Sequence, residues 1–395
     1  MTEGGLILTF NAGSSTVKLG FYRVEGARAT ALGRGVIDFR DEPLEFRVTL
    51  EGRRLTQPLP GADAQDMGAV LARSLDWLGG HLPLDRLRAI GHRVVHGGDI
   101  FTGPARIDPA TLARIEDLAS LAPLHQPQSL RLIHAMRSLL PDTVQTASFD
   151  TAFHATNPPI ARRFAIPRAL HDRGVKRYGF HGLSYHFIAG ALRRMGLPSD
   201  ARVVAAHLGS GASLCGMAGG RSLDTSMGFS TIDGIPMATR SGTLDPGVLL
   251  HLLGPMGMSL AEVENMLYRE SGLLGVSGID ADSRELLESA APEAAEAIEL
   301  FCFRIAGEVA RLAATLGGLD ALVFTAGIGE NQPRIRAMVA DRLAWLGVAL
   351  DAPANAANRI EIGADRARVR CLVIPTDEEQ VIADQAVALL SADRG

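Results

Sequence analysis

The feature that most constrains the fold is a strand, a short Gly/Ser turn and a second strand, and it occurs twice. The apolar run "GLILTF" leads into "NAGSS" and then into "TVKLGFYRV", which alternates as a half-buried strand does. Residues 202–220, "RVVAAHLGSGASLCGMAGG", repeat the plan. Laid over each other without gaps, Gly13 meets Gly209, Ser14 meets Ser210 and Gly20 meets Gly216. Two such hairpins nearly 200 positions apart imply a duplicated α/β domain with one hairpin in each half. A chain of 395 residues is too long for one ordinary core, which also points to two domains.

The first turn has the composition of a phosphate cradle. Gly13, Ser14 and Thr16 are small or hydroxylated, and Lys18 follows them. The common phosphate loop, G-x-x-x-x-G-K-[ST], runs from a strand into a helix. Here no Gly precedes Lys18, Leu19 follows it, and the strand pattern continues, so this cradle is strand, tight turn, strand. Only two lysines, Lys18 and Lys176, stand against 37 arginines. An Arg-rich surface therefore does not explain a Lys in this turn, where a compact ammonium suits phosphate.

Composition removes other classes. Hydrophobic residues are 47% and charged residues 21%, a globular balance. A net charge of −5 gives no reason to expect nucleic acid or an anionic membrane surface as partner. No apolar run approaches the roughly 20 residues that span a bilayer, and the start of the chain lacks a secretory pattern. Three widely spaced cysteines, Cys215, Cys302 and Cys371, have neither metal nor disulfide-framework spacing. The expectation is a soluble, reduced, cytoplasmic protein.

Further along, "RAIGHRVVHGG" and "VQTASFD" read as short buried strands ending in polar loops. "PEAAEAIELFCFRIAGEVARLAATLGG" has helical spacing with Pro at its start and Gly at its end. "ALVFTAGIGENQPRIRAMVADRLAWLG" reads as strand, Gly-rich turn, helix, whose backbone N–H groups suit a nucleotide. "RCLVIPTDEEQVIADQAVALL" places a carboxylate pair at a strand-to-helix junction. The expected domain division is residues 1–152 with 380–395, and residues 153–379.

Ten segments in order, "NAGSSTVK", "GHRVVHGG", "LAPLHQP", "FDTAFH", "RYGFHG", "HLGSGAS", "MATRSGTLDP", "SGLLGVSG", "FTAGIGEN" and "IPTDEE", resemble the acetate kinase family from about residue 6 to residue 385. The resemblance implies two duplicated ribonuclease-H-like domains of the actin-like ATPase fold, with the nucleotide in the interdomain cleft. It implies phosphoryl transfer from MgATP to a short-chain carboxylate, Mn²⁺ being a possible substitute for Mg²⁺, and a homodimer.

Residue by residue, the resemblance assigns Arg93 to the carboxylate and Val95, Leu124 and Phe180 to the lining around its alkyl end. Asp150, His181 and Arg240 match catalytic positions, and His125 is a weaker candidate of the same kind. Asn11 and Glu378 match metal-linked positions, with Glu379 beside them. For the nucleotide, the matching residues are Ser14, Thr16 and Lys18; His207, Leu208, Gly209, Ser210 and Gly211; Asp282, Ser283 and Arg284; and Gly327, Ile328, Gly329, Glu330 and Asn331. The residue types suit this chemistry. An anionic acceptor facing an anionic donor demands arginines, and catalysis is mainly charge stabilisation and in-line positioning. Acetate is already ionised at neutral pH, so attack on phosphorus needs no general base, and Asp150 is expected to organise the metal and its waters.

The chain departs from the family pattern at Ser210, Tyr185, Gln126, Ala238, Thr243 and Thr231. These changes bear on acceptor identity and rate, with propionate an expected second acceptor because a methylene discriminates by only ~1–3 kcal/mol. A propionate or butyrate kinase is the alternative within the class. A sugar or polyol kinase would need a base for a hydroxyl acceptor, a role open to Asp150, and a non-catalytic nucleotide switch would leave Arg93, His181 and Arg240 without a role.

Overall fold

The run after Gly5 becomes β1 (Leu6–Ala12), buried at every position, Thr9 and Asn11 included, because both faces of its sheet are covered. Leu6, Leu8 and Phe10 enter one core with Val17, Leu19, Phe21 and Phe46, while Ile7 on the opposite face packs with Tyr22, Ala89, Ala383 and Val387. The computed structural model describes residues 5–13, 16–60 and 66–392. It divides into two compact units, Met1–Phe153 with Asp377–Gly395, and His154–Thr376.

The first unit's sheet contains β1, β2 (Thr16–Glu25), β3 (Arg28–Asp38), β4 (Glu45–Leu50), β5 (Arg53–Pro58), β6 (Leu87–Val94), β7 (Ala105–Arg106) and β8 (Val144–Phe149), in the order β5-β4-β3-β2-β1-β6-β8-β7. The second unit's sheet contains β9 (Arg202–Leu208), β10 (Ala212–Ala218), β11 (Arg221–Thr225), β12 (Ala321–Thr325) and β13 (Arg370–Val373), in the order β11-β10-β9-β12-β13. In each, the first strand pairs antiparallel with the second and parallel with the fourth, and a fifth lies parallel beyond it. The series β3-β2-β1-β6-β8 and β11-β10-β9-β12-β13 are one topology used twice, the ribonuclease-H-like arrangement that the resemblance implies.

The duplication extends to residue numbers. β9 begins and ends 196 positions after β1, and β10 begins 196 positions after β2. The turns nevertheless differ: Ala12 faces Val17 in the first hairpin, whereas Leu208 faces Ala212 in the second, a turn one residue shorter between paired positions. Gly13 N–H donates to Thr16 C=O at 2.7 Å in one, and Gly209 N–H to Gly211 C=O at 3.1 Å in the other.

The long amphipathic segment forms a helix over Pro292–Leu316, with Pro at its first turn and left-handed Gly317 ending it. Phe301, Ile305, Val309 and Leu312 are its buried stripe. The segment "GIGEN", expected as an irregular turn, is instead a short helix, Ala326–Asn331, directly after β12. Left-handed Ala326 (φ 64°) breaks the strand, and the next backbone groups close helical bonds at once. No helix among the described residues is long and apolar enough to cross a membrane, and Cys215, Cys302 and Cys371 are buried free thiols.

The helix Glu378–Ala392 returns to the first unit and lies over β1 and β6. It approaches so closely at Gly91 that a Cβ there would stand 2.5 Å from Ile382 Cγ2. Gly91→Ala is expected to destabilise the protein by ~1–3 kcal/mol, the usual range for overpacking. Adding Ile382→Ala should restore part of that loss in urea unfolding; equal instability of the double variant would place the fault elsewhere.

Candidate active site

The candidate side chains gather at the carboxyl ends of the parallel strands, where open α/β sheets present their loops. In the first unit these are Asn11 on β1, Arg93 on β6 and Asp150 immediately after β8. Arg93 Nε donates to Asp150 Oδ1 at 3.0 Å, and Nη2 donates to Oδ2 at 2.6 Å. Arg93 Nη1 donates to Asn11 Oδ1 at 3.1 Å. The Asn11 amide nitrogen then donates to Glu378 Oε2 and Glu379 Oε1, both at 2.9 Å. A continuous polar chain thus runs from Asp150 through Arg93 and Asn11 to the two glutamates.

Burial works against the charge on Arg93, but Asp150, Glu378 and Glu379 outweigh it and hold the guanidinium protonated. Its side chain is 17% exposed while that of Asp150 is 1% exposed. Among the described residues, these bonds leave Arg93 one N–H on each terminal nitrogen. Val95 follows on a buried loop. Gln126 grips that loop at His96, accepting from its N–H at 3.1 Å and donating to its C=O at 3.0 Å. Leu124 is half-buried and His125 precedes the helix Gln126–Leu139.

The glutamates open the helix Glu378–Ala392. Glu379 has its carboxyl pushed up, first by burial and then by the charge of Glu378, with Lys18 and Asn11 opposing. Lys18 lies across the hairpin from Asn11 in register and is exposed. Two crowded carboxylates form an all-oxygen donor set of the kind a hard divalent cation relieves. No cluster of three His, Cys, Asp or Glu side chains occurs among the described residues, and Mg²⁺ does not require one because it keeps waters and substrate phosphates. The site fits such an ion. The amide nitrogen of Asn11, not its oxygen, faces the carboxylates.

The second unit contributes a separate cluster. His181 precedes the helix Gly182–Arg194 in a left-handed conformation (φ 57°), a costly backbone state for a non-glycine residue. Its Nδ1 is 2.9 Å from Ser213 Oγ, and its ring stacks on His207 with centroids 4.3 Å apart. His207 Nδ1 is 2.8 Å from Ser184 Oγ. Arg240 Nη1 donates to Thr231 C=O at 3.2 Å. A Cβ added at Gly211 would lie 3.4 Å from His181 Nε2 and 3.7 Å from Arg240 Nη1, so both cationic or donor groups converge on the second Gly/Ser turn. Phe180 is buried, its C=O 2.9 Å from His154 Nε2.

The segment "SGLLGVSG" supports Arg240. Ser271, Leu273 and Leu274 N–H groups donate to the carbonyls of Thr239, Met237 and Ala238. Gly272, at φ 63°, sits so close that a Cβ would strike Met237 C=O and Arg240 C=O.

Of the remaining nucleotide candidates, Leu208, Gly209, Ser210 and Gly211 form the β9–β10 turn, with Ser210 exposed. Asp282 caps the helix Ser283–Glu288 and pairs with Arg284 Nη2 at 2.5 Å; Ser283 is buried. Gly327, Ile328, Gly329, Glu330 and Asn331 lie in the short helix, where Glu330 Oε1 accepts from Ala326 N–H at 2.8 Å. Thr16 begins β2, and Ser14 lies outside the described residues.

One residue of this site has no signal in sequence. Arg336 is fully buried and spends all five N–H groups on neutral acceptors: Gly329 and Glu330 C=O, Asn355 Oδ1 and C=O, and Asn358 Oδ1. Burial alone lowers its pKa to about 10. Arg336→Met should cost at least about 3 kcal/mol in chemical denaturation, since several buried acceptors lose their donor at once. It should also raise KM for the nucleotide; an unchanged KM would separate Arg336 from the nucleotide segment.

Residues 6–384 match the model of the acetokinase family. The chain is 47% identical to the acetate kinase of Rhodopseudomonas palustris (strain TIE-1), over 98% of this chain and 99% of that one. Among solved structures, a propionate kinase from Francisella tularensis subsp. tularensis SCHU S4 superposes with TM-score 0.90 at 35% identity, covering 96% of this chain and 98% of that one. Porphyromonas gingivalis acetate kinase superposes with TM-score 0.87 at 34% identity, covering 98% and 100%. With its sequence matched over residues 6–384 and its fold shared at this level, the chain belongs to the acetokinase family.

Proposed function

We propose that this chain transfers the γ-phosphoryl group of ATP to acetate, reversibly, giving acetyl phosphate and ADP. It is a phosphotransferase with a carboxyl-group acceptor, as its family is. One carboxylate oxygen forms the new bond to phosphorus while the bond to the β–γ bridging oxygen breaks, and no proton moves because the acceptor is already ionised. The observation that carries the reading is the state of Arg93: fixed by Asp150 and Asn11, it keeps one N–H on each terminal nitrogen for an anionic acceptor.

Asp150, bound edge-on by Arg93, orients that guanidinium. Arg240 and His181 converge on the Gly211 turn and take the charge that spreads over the transferring phosphoryl oxygens. Lys18 supplies a compact charge to the nucleotide phosphates. Glu378 and Glu379 would hold Mg²⁺, with Asn11 keeping their carboxylates together. When bound, that ion neutralises phosphate charge. Val95 and Leu124, in the first unit with Arg93, are assigned to the alkyl end of the acceptor. The similarity to a propionate kinase favours propionate as a second acceptor.

The deciding experiment measures ADP release from MgATP with acetate, propionate, butyrate and glycerol separately, trapping acyl phosphate with hydroxylamine. Carboxylate-dependent turnover with trapped product is expected; turnover on glycerol alone, or acceptor-independent hydrolysis, would overturn the reading. Arg240→Ala should lower kcat by on the order of 10³-fold, and a loss below about tenfold would reduce it to substrate positioning. Arg93→Ala should chiefly raise KM for acetate and leave KM for ATP in place.

The enzyme works as a homodimer in the cytoplasm, where buried free thiols remain reduced. The helix Pro246–Leu253 supports the dimer: it is apolar, yet none of its residues is buried. Leu250 is 71% exposed, and Leu260 nearby is 72% exposed. A second copy is the occupant we assign to this face. Leu250→Asp with Leu253→Asp should convert a dimer to a monomer in sedimentation analysis; an unshifted dimer would place the interface elsewhere.

A further inference from the structure

His181 is useful to a phosphoryl group only if the nitrogen facing it carries a proton, and the backbone does not decide which nitrogen that is. The structure supplies a second hydroxyl behind the first. Tyr185 lies one turn into the helix that His181 begins, is fully buried, and has its phenolic oxygen 2.5 Å from Ser213 Oγ. The same Ser213 Oγ lies 2.9 Å from His181 Nδ1. Ser213 is held in place by register, directly opposite His207, on which the His181 ring stacks.

A serine hydroxyl has one proton to share between these two contacts. If Ser213 donates to the phenol, a neutral His181 must donate from Nδ1 and its Nε2 carries no proton. If the phenol donates to Ser213, Ser213 donates to Nδ1 and the imidazole proton resides on Nε2. The phenol O–H is much the more acidic of the two hydroxyls and so the stronger donor. Burial also raises the pKa of Tyr185, which keeps its proton in place. Nε2 is the atom aimed at the Gly211 turn, beside Arg240 Nη1.

We propose that Tyr185 is a positioning residue that acts through Ser213 to set the tautomer of His181, so that Nε2–H is presented to the transferring phosphoryl group. Tyr185 touches no reactant. Its hydroxyl fixes the direction of Ser213, and Ser213 fixes the imidazole. The consequence for rate rests on the carboxylate-kinase reading; the tautomer itself does not.

The test is a long-range ¹H–¹⁵N correlation spectrum of the full-length protein with ¹⁵N-histidine, the His181 signals being assigned by their loss in His181→Gln. The wild type should show neutral His181 protonated on Nε2 at pH 7, and Tyr185→Phe and Ser213→Ala should each show a mixture of tautomers. Tyr185→Phe should lower kcat by about tenfold, the size of one hydrogen bond, with both KM values within about twofold of wild type. In the Ser213→Ala background it should lower kcat no further. A wild-type His181 protonated on Nδ1, or as imidazolium at pH 7, would overturn the proposal. So would a Tyr185→Phe loss that persists undiminished in Ser213→Ala. Should Tyr185→Phe fail to fold by circular dichroism, Ser213→Ala alone must show the tautomer mixture. Absence of any carboxylate-dependent turnover with the Nε2–H tautomer intact would sink the kinase reading and leave the relay standing.

Discussion

An arginine that is to keep donors for a ligand has to be held in place without being neutralised by the groups that hold it. Arg93 meets this constraint by using one edge for Asp150 and one N–H for Asn11, leaving N–H groups at the far end. That arrangement needs three strands side by side, because Asn11, Arg93 and Asp150 sit at the ends of β1, β6 and β8. It also needs the helix Glu378–Ala392 close over the sheet, since Asn11 reaches the glutamates only from there. The missing side chain at Gly91 is what permits that approach. Sheet order, helix packing and ligand chemistry are therefore one problem in the first unit.

The second unit solves a different problem on the same topology. Its strand ends present His207 and the short helix Ala326–Asn331, and its hairpin turn is one residue tighter between paired positions. His181 Nε2 and Arg240 Nη1 come in beside this turn, within ordinary contact distance of where a Cβ at Gly211 would stand. A duplicated scaffold can diverge this way because the parallel pairings that define the sheets do not constrain what the turns carry.

Much of this is legible in the sequence. The two hairpins, the capped helix over Pro292–Leu316 and the strands carrying Arg93 and Asp150 follow from periodicity, from Gly and Pro punctuation, and from motif order. What periodicity cannot supply is partnership between distant side chains. Arg336 is one of 37 arginines with no local pattern to mark it, and its burial depends on carbonyls of one short helix and on asparagines some 20 positions later. Gln126 and Ser213 are ordinary in sequence, and each matters because of a group brought to it by another strand or loop. "SGLLGVSG" is visible as a motif but not as a brace, because its partners are backbone carbonyls of the Arg240 loop. The short helix at "GIGEN" reads as a turn because two glycines in five residues disfavour helix, and left-handed Ala326 with its Glu330 cap overrides that preference.

Backbone strain at non-glycine residues falls mainly beside the second unit's candidate residues. Four non-glycine residues among those described have positive φ: Glu51, His181, Ala326 and Asn358. Glu51 occupies the β4–β5 turn, where such a state is ordinary for a tight hairpin. The other three lie in the second unit, at or near its candidate residues. His181 is anchored through Ser213, Ala326 has its N–H held by Glu330 Oε1, and Asn358 gives its side chain to Arg336. Each strained residue is thus tied by a hydrogen bond to a buried or half-buried polar group. Relaxation would cost a hydrogen bond of about 1 kcal/mol or more, comparable to the strain it relieved. Strain and bonding hold each other, which is how a loop between strand and helix keeps a donor aimed at one point without help from a bound ligand.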